Sequence, residues 1–144
     1  MADRANSSIT IAAPPADVMA VIADFEAYPQ WTSQVKTVEV LEHDEEGRAV
    51  SVRFVLDAGI VKDEYTLAYD WSVPDQVSWH LTKGQMQKSQ EGTYALTSSR
   101  SGTEVRYDLT VDLAIPMIGL FKRKAEKTII DTALKGLKAR VESG

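Results

Sequence analysis

Glu104-Val105-Arg106-Tyr107-Asp108-Leu109-Thr110-Val111-Asp112-Leu113, with Pro116-Met117-Ile118-Gly119-Leu120-Phe121 close behind, is the stretch where the chain changes its period. Up to Leu113 every second residue is apolar, the mark of a strand with one dry and one wet face. Beyond Pro116 the apolar positions Ile118, Phe121, Ala125, Ile129, Ala133 and Leu137 recur at helical spacing. The pattern predicts a strand and then a helix from Pro116 to about Val141, on the order of 39 Å long at ~1.5 Å per residue.

Upstream, the same alternation returns around Val38 and Val40, from Val50 to Leu56, from Tyr65 to Trp71, from Val77 to Leu81, and at Tyr94 and Leu96. His43 to Gly47, Ala58-Gly59, Val73 to Gln76, Met86 to Ser89 and Ser99 to Gly102 read as the turns between these strands. A two-residue turn at Ala58-Gly59 sets Phe54 opposite Asp63 and Val52 opposite Tyr65. The following hairpins then pair Trp71 with Trp79, Leu81 with Tyr94, and Tyr94 with Tyr107. Each register keeps dry positions opposite dry positions, as it must where one face is buried. Before this run, Ser8 to Ile11 reads as a short strand. Ala13-Pro14-Pro15-Ala16-Asp17 opens a helix striped by Val18, Val21 and Ile22, and Phe25 to Trp31 forms a second short helix broken by Pro29.

Seven strands spaced by ~4.8 Å span about 34 Å, and one helix is roughly 10 Å wide. The helix cannot cover a flat sheet, so the expected fold is α+β: a curved seven-stranded antiparallel sheet wrapped around the long C-terminal helix. Such a shape leaves an apolar groove, where small molecules bind. The dry face is rich in rings that combine apolar area with a polar handle, although rings of this kind also simply fill cores. The small residues Ala125, Thr128, Thr132, Ala133 and Gly136 either leave room for a ligand or let the helix sit close to its neighbours.

The bulk numbers fit one domain, 1–144. The 144 residues include no cysteine, which excludes disulfides, thiol catalysis and Cys-based zinc sites. The net charge of −5 argues against nucleic acid as a partner. Met1 to Ser8 is polar with no apolar secretory segment, and no apolar run approaches a membrane span, so a cytoplasmic location is expected.

Ile9-Thr10-Ile11-Ala12-Ala13-Pro14-Pro15, then Val18 to Asp24, then Tyr28-Pro29-Gln30-Trp31, the strand run and the final helix follow one another in a specific order. In this order the chain, from roughly Ser7 to Val141, resembles the START-like (SRPBCC) superfamily, and within it the polyketide cyclase/dehydrase and lipid-transport branch. The resemblance implies a helix-grip fold and a central cavity for a lipid, polyketide, quinone or similar hydrophobic molecule. No cofactor is expected. The residues expected at the ligand are Trp31, Phe54, Tyr65, Tyr69, Trp79, Tyr94 and Tyr107, with Phe121, Ala125 and Ile129 from the long helix.

Charges at dry positions are informative, because burying a lone charge is costly. Asp63 and Lys83 share the dry parity near strand ends. Each is either an exposed rim charge or a group that orients a polar ligand head, and a buried Asp63 with a raised pKa would serve as a general base. Glu42 and Arg48 are expected to face each other as a surface pair of little energetic weight. His43 to Glu46 sit at a hairpin tip without ligand spacing, so no metal is expected. His80 falls on the wet face. No phosphate-binding loop and no Gly-x-Ser-x-Gly elbow is present. Met117 to Phe121 beside Lys122, Arg123, Lys124 and Lys127 reads as a core-facing helix start with a solvated basic side, leaving at most transient membrane contact. Binding or carrying a small hydrophobic ligand is therefore the leading expectation. A polyketide cyclase or aromatase working in the same cavity and an interaction domain using the outer sheet face are the alternatives.

Overall fold

The computed structural model describes residues 4–57, 62–113 and 119–143. Strand β1 (Arg4–Ile11) leads into helix α1 (Pro15–Ala23), a 3-10 turn (Phe25–Ala27) and the one-turn helix α2 (Tyr28–Trp31). Strands β2 (Val35–His43), β3 (Ala49–Asp57), β4 (Lys62–Asp70), β5 (Gln76–Gly84), β6 (Gln87–Ser99) and β7 (Gly102–Leu113) follow, and helix α3 (Gly119–Ser143) ends the chain. The strands form one antiparallel sheet in the order β1-β7-β6-β5-β4-β3-β2. This order puts β1 and β2 on opposite edges, so the chain between them must cross the whole sheet, and α1 and α2 make that crossing. Pro15 starts α1 at a position where a missing N–H is harmless. Val18 and Ile22, one helical turn apart, are its buried side.

Helix α3 has 25 residues, about 38 Å at ~1.5 Å each. It packs mainly on β1 and β7 and against α1 and α2. Its C-terminal end is tied to the end of β1: Lys138 Nζ donates to the Thr10 carbonyl (2.7 Å), and the Ala12 N–H donates to Glu142 (2.9 Å). Nearer its start, the buried Glu126 carboxylate accepts the Val111 N–H at 3.1 Å and fixes the helix to β7. The expected beginning of this helix, at Pro116 with the Met117 to Phe121 tip, falls largely outside the described residues.

The faces of the strands are as the alternation predicts, and Tyr94 stands opposite Tyr107. The other registers differ. Phe54 pairs with Tyr65 and Leu56 with Asp63, two residues from the expected alignment. The last β3–β4 pair is Asp57 with Lys62, so the connection is longer than two residues; the Ala58-Gly59 turn itself lies outside the described residues. Trp79 pairs with Tyr69 rather than Trp71, and Val77, not Leu81, faces Tyr94. Every shift is an even number of residues, which changes partners while keeping faces. Lys83 is a different case. A bulge opposite Thr66 and Leu67 inserts Thr82, so Lys83 turns to the outer face and is exposed. Glu42 faces Ser51 rather than Arg48. The guanidinium of Arg48 instead meets Asp44 and Glu46 within the hairpin tip, each at 3.0 Å.

Gly136 decides how close α3 lies to α2. A Cβ at this position would stand 2.0 Å from the Trp31 carbonyl oxygen, so here the small residue serves close approach. Replacing an exposed helical glycine with alanine ordinarily stabilises by ~1 kcal/mol. Here Gly136→Ala is expected to lower stability by about 1–3 kcal/mol through overpacking. Thermal denaturation checks the sign, and a raised melting temperature would contradict this contact.

Candidate functional site

The concave face of the sheet and α3 enclose a cavity of about 60 Å³. The sheet contributes Phe54 from β3, Tyr65 and Tyr69 from β4, Trp79 from β5, Tyr94 from β6 and Tyr107 from β7. Trp31 of α2 and Ile129 of α3 complete the part expected from the sequence. The side chains of Phe121 and Ala125 lie outside what is described. The structure adds Tyr28, Gln90 and Ala133 to the wall, and half-buried Gln34 and Val35 beside Trp31.

The rings brace one another. Phe54 stacks on Tyr65 with centroids 5.5 Å apart, Tyr94 tilts against Tyr107 at 4.6 Å, and Trp79 touches both of these at 5.4 and 5.6 Å. Trp79 lies flat where β6 carries Gly92: a Cβ there would meet the indole at 2.2 Å. A glycine inside a strand thus makes the seat for the largest ring on the wall.

A line of buried polar groups runs out from that indole. Trp79 Nε1 donates to Gln90 Oε1 (2.9 Å), Gln90 Nε2 to Gln87 Oε1 (2.6 Å), and Gln87 Nε2 to Asp63 Oδ2 (3.0 Å). An ionised carboxylate only accepts. Asp63 therefore orients the Gln87 amide, which orients Gln90, which receives the indole N–H. Gln87 and Gln90 both point inward although three residues apart, because the β6–β7 pairing is shifted between Gln87 and Ser89. Neither was expected at the site. Gln90 shares the parity of Gly92 and Tyr94, and that parity was the available signal; Gln87 needs the bulge, which the sequence does not show.

Asp63 is 6 % exposed, not on the rim. Beyond Gln87 Nε2, its two oxygens accept the backbone N–H groups of Glu64, Gln85, Met86 and Gln87. It is not among the cavity-lining residues. The carboxylate organises the β5–β6 turn.

Tyr28 donates to the Ile22 carbonyl at 2.5 Å. Burial, first of all, pushes the phenols of Tyr28, Tyr65, Tyr69, Tyr94 and Tyr107 upward, with smaller contributions from neighbouring phenols in all but Tyr107. They are neutral at physiological pH and offer hydrogen bonds rather than proton abstraction. Charged side chains are missing from the described lining. Of the three indoles, Trp71 donates to the Ala49 carbonyl at 2.7 Å and Trp79 to Gln90, while the buried Nε1 of Trp31 meets no acceptor among the described residues. A buried donor in that state costs about 1–3 kcal/mol.

At the hairpin tip, the Arg48 backbone N–H is the main group holding the Asp44 carboxyl below its usual range. Among the described residues no three His, Asp or Glu side chains gather as metal ligands, and His80 is exposed on the outer face.

A curved sheet gripping a helix around a ring-lined cavity defines an α+β helix-grip protein of the START-like class. The model of the family described as polyketide cyclase/dehydrase and lipid transport matches residues 3–142, and the chain belongs to this family. A START superfamily protein from Mycobacterium smegmatis superposes with a TM-score of 0.90 at 23% identity, covering 97% of each chain. A Thermus thermophilus protein gives 0.82 at 26% identity over 98% of each chain. The Zhui aromatase/cyclase from Streptomyces sp. R1128 gives 0.75 at 16% identity, over 99% of this chain and 94% of that one. Comparison with curated proteins gives no match.

Two outcomes are expected from this geometry. Asp63→Asn places an NH2 among N–H donors and should lower stability by about 2–4 kcal/mol with a change in Trp79 emission; urea unfolding followed by fluorescence measures both, and an unchanged midpoint would show the carboxylate to be dispensable for the fold. The phenols, raised above their ordinary value of 10.0, contribute stability that is complete below about pH 10 and is lost as pH climbs toward the raised folded values. In an alkaline titration tyrosinate absorbance should therefore appear together with unfolding. Gradual ionisation of the native protein from about pH 10 would contradict it.

Proposed function

We propose that the protein, as one domain, binds a small hydrophobic molecule in the cavity between the sheet and α3. The observation that carries this is the wall itself: rings and aliphatic side chains, a few neutral hydrogen-bonding groups, and no charge among the described lining. Ligand sites generally combine an apolar wall with a few placed polar groups. The size narrows the reading. At about 60 Å³ the space is far below the several hundred Å³ of drug-sized sites. The ligand is therefore compact, or a larger lipid, quinone or polyketide enters only as half-buried lining residues such as Trp31, Gln34, Val35 and Ile129 give way.

The alternative is a cyclase or aromatase acting in the same cavity. A neighbour of the same fold carries that activity in its name. Proton transfer near neutral pH needs a group that titrates there, and the described lining offers only phenols held neutral. Binding without turnover is the better supported of the two. In this proposal the protein works in the cytoplasm; no helix among the described residues is long and apolar enough to cross a membrane.

Native mass spectrometry of freshly purified protein, and titration of indole fluorescence with hydrophobic ligands, test the proposal. Ala133→Leu fills the wall from α3 and should weaken binding at least ~10-fold, about 1.4 kcal/mol. Equal affinity in the filled variant would place the site elsewhere.

A further inference from the structure

This inference rests on the binding reading above and concerns what the ligand must present. Half-buried Trp31 lines the cavity, its ring 4.8 Å from that of Tyr28. Its main chain is held from two sides. Gly136 of α3 sits directly against its carbonyl, and the next residue, Thr32, donates its N–H to the Tyr28 carbonyl at 2.9 Å. The indole is therefore set by its surroundings, yet its buried Nε1 reaches no acceptor among the described residues. Proteins leave few buried donors in this state. The other two indoles of the chain are both paired. The one that is not lines the cavity.

The rest of the wall limits what can meet it. Gln90 Oε1 already receives Trp79. The phenols are neutral and supply further donors. With no cation in the described lining, a carboxylate on the ligand would have only neutral donors to offset its desolvation, whereas an uncharged carbonyl gives up far less hydration. We infer that the Trp31 indole N–H is the selectivity determinant of this cavity, donating to the carbonyl oxygen of an uncharged, compact ligand.

Acetophenone, ethylbenzene and benzoate separate the elements of this inference, being a ring with a carbonyl, a ring of similar shape without one, and a ring with a charge. The full chain carrying ¹⁵N-labelled tryptophan reports binding through its three indole N–H signals. Acetophenone is expected to bind about 5–10-fold tighter than ethylbenzene and to move the Trp31 signal downfield, as a new hydrogen bond to a neutral acceptor does. Benzoate is expected to bind more weakly than acetophenone. Trp31→Phe keeps a ring and removes the donor, and should erase the preference for acetophenone while retaining ethylbenzene. The wild-type comparison stands even if that variant fails to fold. Equal binding of acetophenone and ethylbenzene, a preference that survives in Trp31→Phe, or benzoate binding as tightly as the ketone would overturn the inference alone. Binding of none of the three would overturn it together with the reading on which it rests.

Discussion

One helix is too narrow for seven strands, and most of the structure answers that mismatch. Helix α3 lies over β1 and β7 and is held there at both ends, by Lys138 and Glu142 near β1 and by Glu126 near β7. The inner surfaces of β3, β4 and β5 are left for other elements to cover. Phe25 of the 3-10 turn and Tyr28 of α2 cover part of this area, against Phe54 and Tyr69, where the chain crosses to the far edge strand. Rings standing up from the sheet fill most of the remainder. Large rigid side chains span a wide gap with few degrees of freedom lost, but flat plates do not tile a curved volume completely. The cavity is the residue of that misfit.

Placing rings inside a protein brings polar atoms with them, and their treatment separates structure from site. The Trp79 indole is satisfied through two glutamines that end on a carboxylate, and that carboxylate also gathers four backbone N–H groups of its own strand and the β5–β6 turn. A charge shared by five donors is stable in a buried position where a lone one is not. The direction of every hydrogen bond in the line follows from the fact that its last member can only accept. The Trp31 indole has no such line behind it among the described residues, and Trp31 lines the cavity.

What the sequence made legible follows from which quantity each reading used. Period-two alternation reports faces, and the faces are as expected from β3 to β7, which is why most of the predicted ring residues converge on one cavity. Register depends on loop length and bulges, which leave little trace in a single sequence. Phe54 therefore meets Tyr65 instead of Asp63, and Trp79 meets Tyr69 instead of Trp71. The inserted Thr82 sends Lys83 outward, and a shift in β6 brings Gln87 inward. Asp63 was visible as a charge at a dry position, but its role was not. The groups that satisfy it come mostly from backbone more than twenty residues away, and no side-chain pattern records backbone donors.

Burial divides the interior into two kinds of packing. The side chains with essentially no exposure are mainly aliphatic, among them Ile11, Val18, Val77, Val105 and Leu137, with Phe25 between the helices and the rings. The cavity rings retain slightly more, with Tyr65 at 7 %, Trp79 at 6 % and Tyr94 at 5 %. Aliphatic side chains that interlock from α1, α3 and the sheet supply dense, area-proportional stabilisation and tolerate little change in volume. A ring bordering a cavity has no partner atoms on one side, so shortening it enlarges an existing space rather than opening a new one in packed surroundings. Helix, sheet and crossing segment can then persist while the wall varies, and the volume available to a ligand is set by side chains such as Tyr107 and Trp79 rather than by the backbone.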